Sequence, residues 1–160
     1  RRGAGGTNVM GADLFDFDDL EDKLPEERRV RMWAVSDVHT DMRQNMSWIE
    51  ALDPGEHADD ALILAGDISD KWEDIAETLK KCKERFARVF FVPGNHDLWV
   101  KRDRNVWEDS LCRLRRILEL CRTIGVETAP AEVSSGSRQV LVVPLMSWHH
   151  PQWDTEPEIE

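Results

Sequence analysis

Three short polar strings, Asp37-Val-His39, Gly66-Asp67 and Gly94-Asn95-His96-Asp97, each close a run of apolar residues. Positions 40–65 put 26 residues between the first and second strings, and positions 68–93 put 26 between the second and third. That spacing accommodates a helix and its connections between successive short strands. It constrains the fold more than any other feature. Strand, helix, strand, helix, strand brings all three strings to strand ends, and ligands in open α/β sheets gather at the carboxyl ends of the strands.

The intervening segments agree. Residues 30–35 read as an apolar strand and 42–52 as a helix stopped by Asp53-Pro54-Gly55. Residues 61–65 (ALILA) form a continuous apolar run of buried-strand length. Over 71–86, Trp72, Ile75, Leu79, Cys82 and Phe86 make one helical stripe. A third strand follows at 89–92. A helix is expected over 108–122, with Leu111, Leu114, Ile117, Leu118 and Cys121 inward, arginines outward and Gly125 as the cap. A turn at 134–137 then leads to a last strand at 139–143. The expected class is a layered α/β sandwich with neighbouring parallel strands, incomplete at its C-terminus.

The organisation follows from composition. Residues 1–27 are a glycine-containing lead and then an acidic stretch, 28–150 the folded domain, and 151–160 an acidic segment without a core pattern. Of 160 residues, 41% are hydrophobic, enough for one domain with a core. The net charge of −11 disfavours nucleic acid, whose binding needs clustered Lys and Arg. It leaves a phosphorylated substrate open, because bound cations reverse the local field. No apolar run is long enough for a membrane span. Cys82, Cys112 and Cys121 form no metal-type pair and read as reduced thiols of an intracellular, cytoplasmic protein, with an organelle left open.

Each string has a bland and a chemical reading. Residues two apart in extended chain share a side, so Asp37 and His39 can meet one ion, or else satisfy loop hydrogen bonds. Gly-Asp is an ordinary turn, yet Asp67 offers a carboxylate able to bridge two cations. Asn95 offers an amide oxygen or a helix N-cap. His96 offers a ligand nitrogen or a proton donor near neutral pH. Their joint placement at successive strand ends favours a metal site.

In that order and spacing, the strings resemble the calcineurin-like metallophosphoesterase superfamily over residues 30–148. The resemblance implies that Asp37 and His39 bind one metal, that Asp67 bridges two, and that Asn95 binds the second. It leaves His96 off the metals, facing the leaving oxygen. It implies two divalent ions (Mn, Fe or Zn) and hydrolysis of a phosphomonoester or phosphodiester by a metal-activated hydroxide. The run Gly66-Asp67-Ile68-Ser69-Asp70-Lys71-Trp72 departs from the Gly-Asp-Tyr-Val-Asp-Arg-Gly of protein Ser/Thr phosphatases, which sets that branch aside. Lys71 then reads as a solvated first-turn residue.

The family's later histidines are not recognisable here. His149 and His150 are the remaining candidates and fit a rim loop better, while His57 reads as uninvolved. Trp99 and Trp107 offer a pocket wall, with core packing or a cover over the sheet edge as the default. Arg102 and Arg104 read as solvated. The alternative function is a non-catalytic, truncated family member serving as a binding or scaffold module.

Overall fold

The computed structural model describes residues 30–100 and 109–147. The readings of residues 1–29, of Arg102, Arg104 and Trp107, and of His149, His150 and 151–160 lie outside them.

Three strands, β1 (Met32–Val35), β2 (Ala61–Leu64) and β3 (Arg88–Phe91), form a parallel sheet in the order β1-β2-β3. Their register pairs Val35 with Leu64 and Leu64 with Phe91, so all three strands stop at the same level. Helices α1 (Arg43–Ala51) and α2 (Trp72–Arg85) connect them, and α3 (Ser110–Ile124) follows. A one-turn 3-10 helix, His96–Leu98, lies just beyond β3.

Alternation along the strands builds two layers. Leu62, Leu64, Val89 and Phe91 meet Ile49, Ile75, Leu79, Cys82, Ile117 and Cys121 in the main core. Ala61, Ile63 and Phe90 face the other way, toward Val133, Ala131 and Val142. That second layer is an antiparallel hairpin, β4 (Ala131–Ser135) and β5 (Arg138–Val142), turned at Gly136 with φ 63°. The parallel alternation therefore holds for the first three strands only. β4 was not expected, because Ala-Glu-Val-Ser-Ser carries a single large apolar residue, Val133.

Helix α3 corrects the sequence reading twice. Leu111 is 63% exposed, while Arg113 is fully buried. The buried stripe is Arg113, Ile117 and Cys121, spaced by four. An apolar period cannot announce a stripe that begins with a guanidinium. Asp109 caps the helix by accepting from the Cys112 N–H at 2.7 Å, and Gly125 ends it in the left-handed region. Strand β1 is also more open than its composition suggests, with Trp33 43% exposed, because among the described residues it pairs only with β2. No described helix is long and apolar enough to cross a membrane.

Candidate metal centre

The ladder between β1 and β2 does not stop where the strands do. Asp37 N–H donates to the Gly66 carbonyl at 3.1 Å, His39 N–H to Asp67 at 3.1 Å, and Thr40 N–H to Ile68 at 2.8 Å. The first two strings therefore run side by side as a continuation of the sheet. Buried Thr40 also shares a 2.8 Å hydroxyl contact with Thr78 of α2. Asn45 of α1 donates its side-chain amide to the Val38 and His39 carbonyls at 2.7 and 3.2 Å.

Asp37, His39 and Asp67 sit at φ 55°, 43° and 55°, the left-handed region that L-residues avoid at a cost of about 1–2 kcal/mol each. Three such residues in two adjacent turns turn their side chains off the sheet axis together. One ligand atom from each lies within 4.8 Å of the others. Strain of this kind concentrates where surrounding structure over-determines a working geometry.

The third string is tied in by close backbone approach. A Cβ on Gly66 would lie 2.7 Å from the Gly94 nitrogen, and one on Gly94 would lie 2.1 Å from Asp67 Oδ1. Both positions are restricted to glycine by contact, and Gly66 also by its φ of 86°. His96 N–H then donates to Asp67 Oδ1 at 2.9 Å.

Asp97 holds this junction together. Its Oδ2 accepts from the Gly94 and Asp67 N–H groups at 2.8 and 2.9 Å, and its Oδ1 from Ile68 and Ser69 at 2.8 and 3.1 Å. Burial pushes its carboxyl above the ordinary range and the Asp67 charge adds to that, while the Gly94, Ser69 and Ile68 amides pull it back. Below it, Arg113 donates from Nε to the Asp97 carbonyl at 3.2 Å and from Nη2 to the Asp70 carbonyl at 2.9 Å. Helix α3 thus grips both loops from the core side. The third string by itself gives Asp97 no role, and helical periodicity places Arg113 outward. A residue type alone does not reveal four backbone donors arriving from two loops.

The other candidates are placed as follows. Asn95 is exposed at the N-cap position of the 3-10 helix, but its side chain makes no capping bond, so the N-cap reading is set aside. His96 lies edge-on to His39, ring centroids 5.0 Å apart, and under Trp99 at 3.9 Å. Trp99 is 47% exposed and outside both core clusters, which corrects the core-packing default. The Lys71 side chain is solvated as expected, 45% exposed and 3.7 Å from Asp74, but it is the N-cap residue of α2 rather than part of its first turn. His57 is buried rather than in an open polar loop. It stacks on Phe86 and meets Asp60 at 3.1 Å, just before β2 and thus at the opposite end of the sheet from the strings. Cys82 and Cys121 are buried thiols that burial pushes up to about 12, so they are poor ligands.

The parallel strands β1 and β2 thus lead into a carboxylate–imidazole–carboxylate cluster able to hold a divalent metal. The family model for calcineurin-like phosphoesterases matches residues 30–144, and the chain belongs to that family, which uses divalent metals. It is 36% identical over 97 residues to the acyl-carrier-protein phosphodiesterase PptH of Mycobacterium tuberculosis, covering 61% of this chain and 30% of that relative. The crystal structure of phosphopantetheinyl hydrolase PptH from the same organism matches with a TM-score of 0.66 at 30% identity, over 74% of this chain and 43% of that one. The chain spans less than half the length of these relatives.

Proposed function

We propose that this chain supplies residues of a dinuclear metal site that hydrolyses a phosphodiester. The convergence of Asp37, His39 and Asp67 within 4.8 Å carries the reading. Two carboxylates and an imidazole are a donor set suited to divalent Mn, Fe or Zn, so the residues fit the group. Asp37 and His39 would hold one ion, Asp67 would serve both, and the Asn95 amide oxygen would serve the second. Bound ions would neutralise phosphate charge and lower the pKa of a water.

The remaining work falls to the chain's own groups. Asp97 and Arg113 keep the Asp67 and Asn95 loops at one spacing, so that phosphate binding need not reorganise them. His96 stands beside Asp67 with its ring free of the backbone bond that its N–H makes. It faces the leaving oxygen and donates a proton or hydrogen bond to it. The diester class rests on the likeness to a protein named for phosphodiesterase activity on an acyl carrier protein. A phosphopantetheinyl group joined to a carrier protein is a substrate of that class.

The test is hydrolysis of bis(p-nitrophenyl) phosphate and p-nitrophenyl phosphate by the full-length protein with added Mn²⁺, with bound metal measured in parallel. Diester turnover that falls, together with metal content, in Asp67→Asn supports the reading. A protein inert with Mn²⁺, Zn²⁺ and Fe²⁺, or an Asp67→Asn variant unchanged in rate and metal, overturns it.

A further inference from the structure

We propose that Trp99 is a positioning residue for leaving-group departure, its indole fixing the His96 ring in the orientation the reaction uses. The inference rests on the role assigned to His96 above.

The geometry begins with the 3-10 turn. Trp99 N–H donates to the His96 carbonyl at 3.1 Å, closing a turn in which residues three apart lie one above the other. An α-helical turn would offset the two side chains around the axis. Here the indole covers the imidazole with centroids 3.9 Å apart and planes tilted by 35°. On its other flank, the His39 ring meets it edge-on at 5.0 Å and 81°. The His96 ring is therefore confined between a candidate metal ligand and an indole, and its χ2 freedom is restricted by both.

Burial does not explain the tryptophan. Its neighbour Leu98 packs against the main core, whereas Trp99 stays 47% exposed. Leaving so large an apolar surface in water forgoes much of what burying it would contribute. Among the described residues its ring contact is with His96, the imidazole that the proposed function leaves off the metals. A ring held in place spends more of its time aimed at the leaving oxygen, and misalignment of about 1 Å at such a group can cost roughly a hundredfold in rate.

The test compares a good leaving group with a poor one. Full-length wild type, Trp99→Ala, Trp99→Phe and His96→Ala are assayed with Mn²⁺ on bis(p-nitrophenyl) phosphate and on diphenyl phosphate. A group that assists the leaving oxygen matters most when that oxygen leaves badly. Trp99→Ala is expected to lower kcat on diphenyl phosphate by roughly tenfold or more, with a much smaller loss on the p-nitrophenyl diester and KM and bound metal unchanged. Trp99→Phe restores most of the loss, because a flat ring remains. In the metal-free protein, NMR provides a second readout: the His96 ring-proton resonances move downfield in Trp99→Ala as the indole ring current is removed.

Equal losses on both substrates, no loss on either, or unmoved His96 resonances overturn the proposal. If His96→Ala shows the selective loss and Trp99→Ala does not, Trp99 alone is wrong and the proposed function stands. If His96→Ala shows no selectivity, the role of His96 falls, and that of Trp99 with it.

Discussion

Asp67 and Asp97 brace each other's loops: Asp97 Oδ2 accepts the Asp67 N–H at 2.9 Å, while Asp67 Oδ1 accepts the N–H of His96, next to Asp97, at 2.9 Å. One carboxylate is buried and has its acceptor capacity filled by four backbone donors. The other spends one contact on the brace and turns its remaining capacity outward. The strings after β2 and β3 are therefore held as one unit, and substitutions at Asp97 should be felt at the proposed metal site.

Asp97→Asn tests this. Each carboxylate oxygen takes two N–H groups, and an amide NH2 in place of either oxygen faces two donors with no lone pair to accept them. Leaving buried donors unpaired costs about 1–3 kcal/mol each, so a loss of at least about 2 kcal/mol in urea unfolding is expected. Mn²⁺ affinity, measured by calorimetry, should weaken although Asp97 is not itself a ligand.

The two glycine contacts predict a sharp contrast. Gly94→Ala places a methyl group 2.1 Å from Asp67 Oδ1 and 2.6 Å from the Asp67 nitrogen, so the brace must open. Metal binding should be lost by equilibrium dialysis. Gly55→Ala meets only the Asp53 side chain at 3.2 Å on the surface, and its stability should stay within about 0.5 kcal/mol of wild type.

Much of this was legible beforehand. Apolar runs ended by glycine and a carboxylate mark strands whose ends must turn, so the three parallel strands and the meeting of Asp37, His39 and Asp67 followed from pattern. Side-chain partnerships were not legible. Arg113 sits on the buried stripe of α3, where periodicity asks for an apolar residue, and its bonds to the Asp97 and Asp70 carbonyls help account for it. β4 carries too few apolar residues to signal a strand, and its place comes from pairing with β5 across the sheet face.

The Thr40–Thr78 hydroxyl pair should behave non-additively. Thr40→Val leaves the buried Thr78 hydroxyl without this partner, at about 1–3 kcal/mol, whereas in Thr78→Val the Thr40 hydroxyl keeps the Ile68 carbonyl at 3.3 Å and the cost is smaller; the double change removes both groups together. A double-mutant cycle in urea should show the double variant less destabilised than the sum of the singles.

At the far end of the sheet, Asp60 sets an acid limit. Burial alone would raise its carboxyl, but hydrogen bonds from Arg31, Trp33 and His57 outweigh it and hold the group at about 2, against 3.8 in the unfolded chain. A depressed value contributes stability above the unfolded pKa and loses it as pH falls through the folded one. The wild type should lose on the order of 2 kcal/mol between pH 4 and pH 2 from this group. Asp60→Asn should be less stable at pH 6 and lack that part of the acid transition, read from urea midpoints across the range.

The central claim is that Asp37, His39, Asp67 and Asn95 hold two ions. Anomalous diffraction from crystals of the full-length protein grown with Mn²⁺, recorded on each side of the manganese absorption edge, tests it most directly. The account predicts two peaks, one against Asp37, His39 and Asp67 and one against Asp67 and Asn95, with His96 in neither coordination shell. Peaks elsewhere, a single peak that Asp67 does not touch, or a peak ligated by His96 would contradict it.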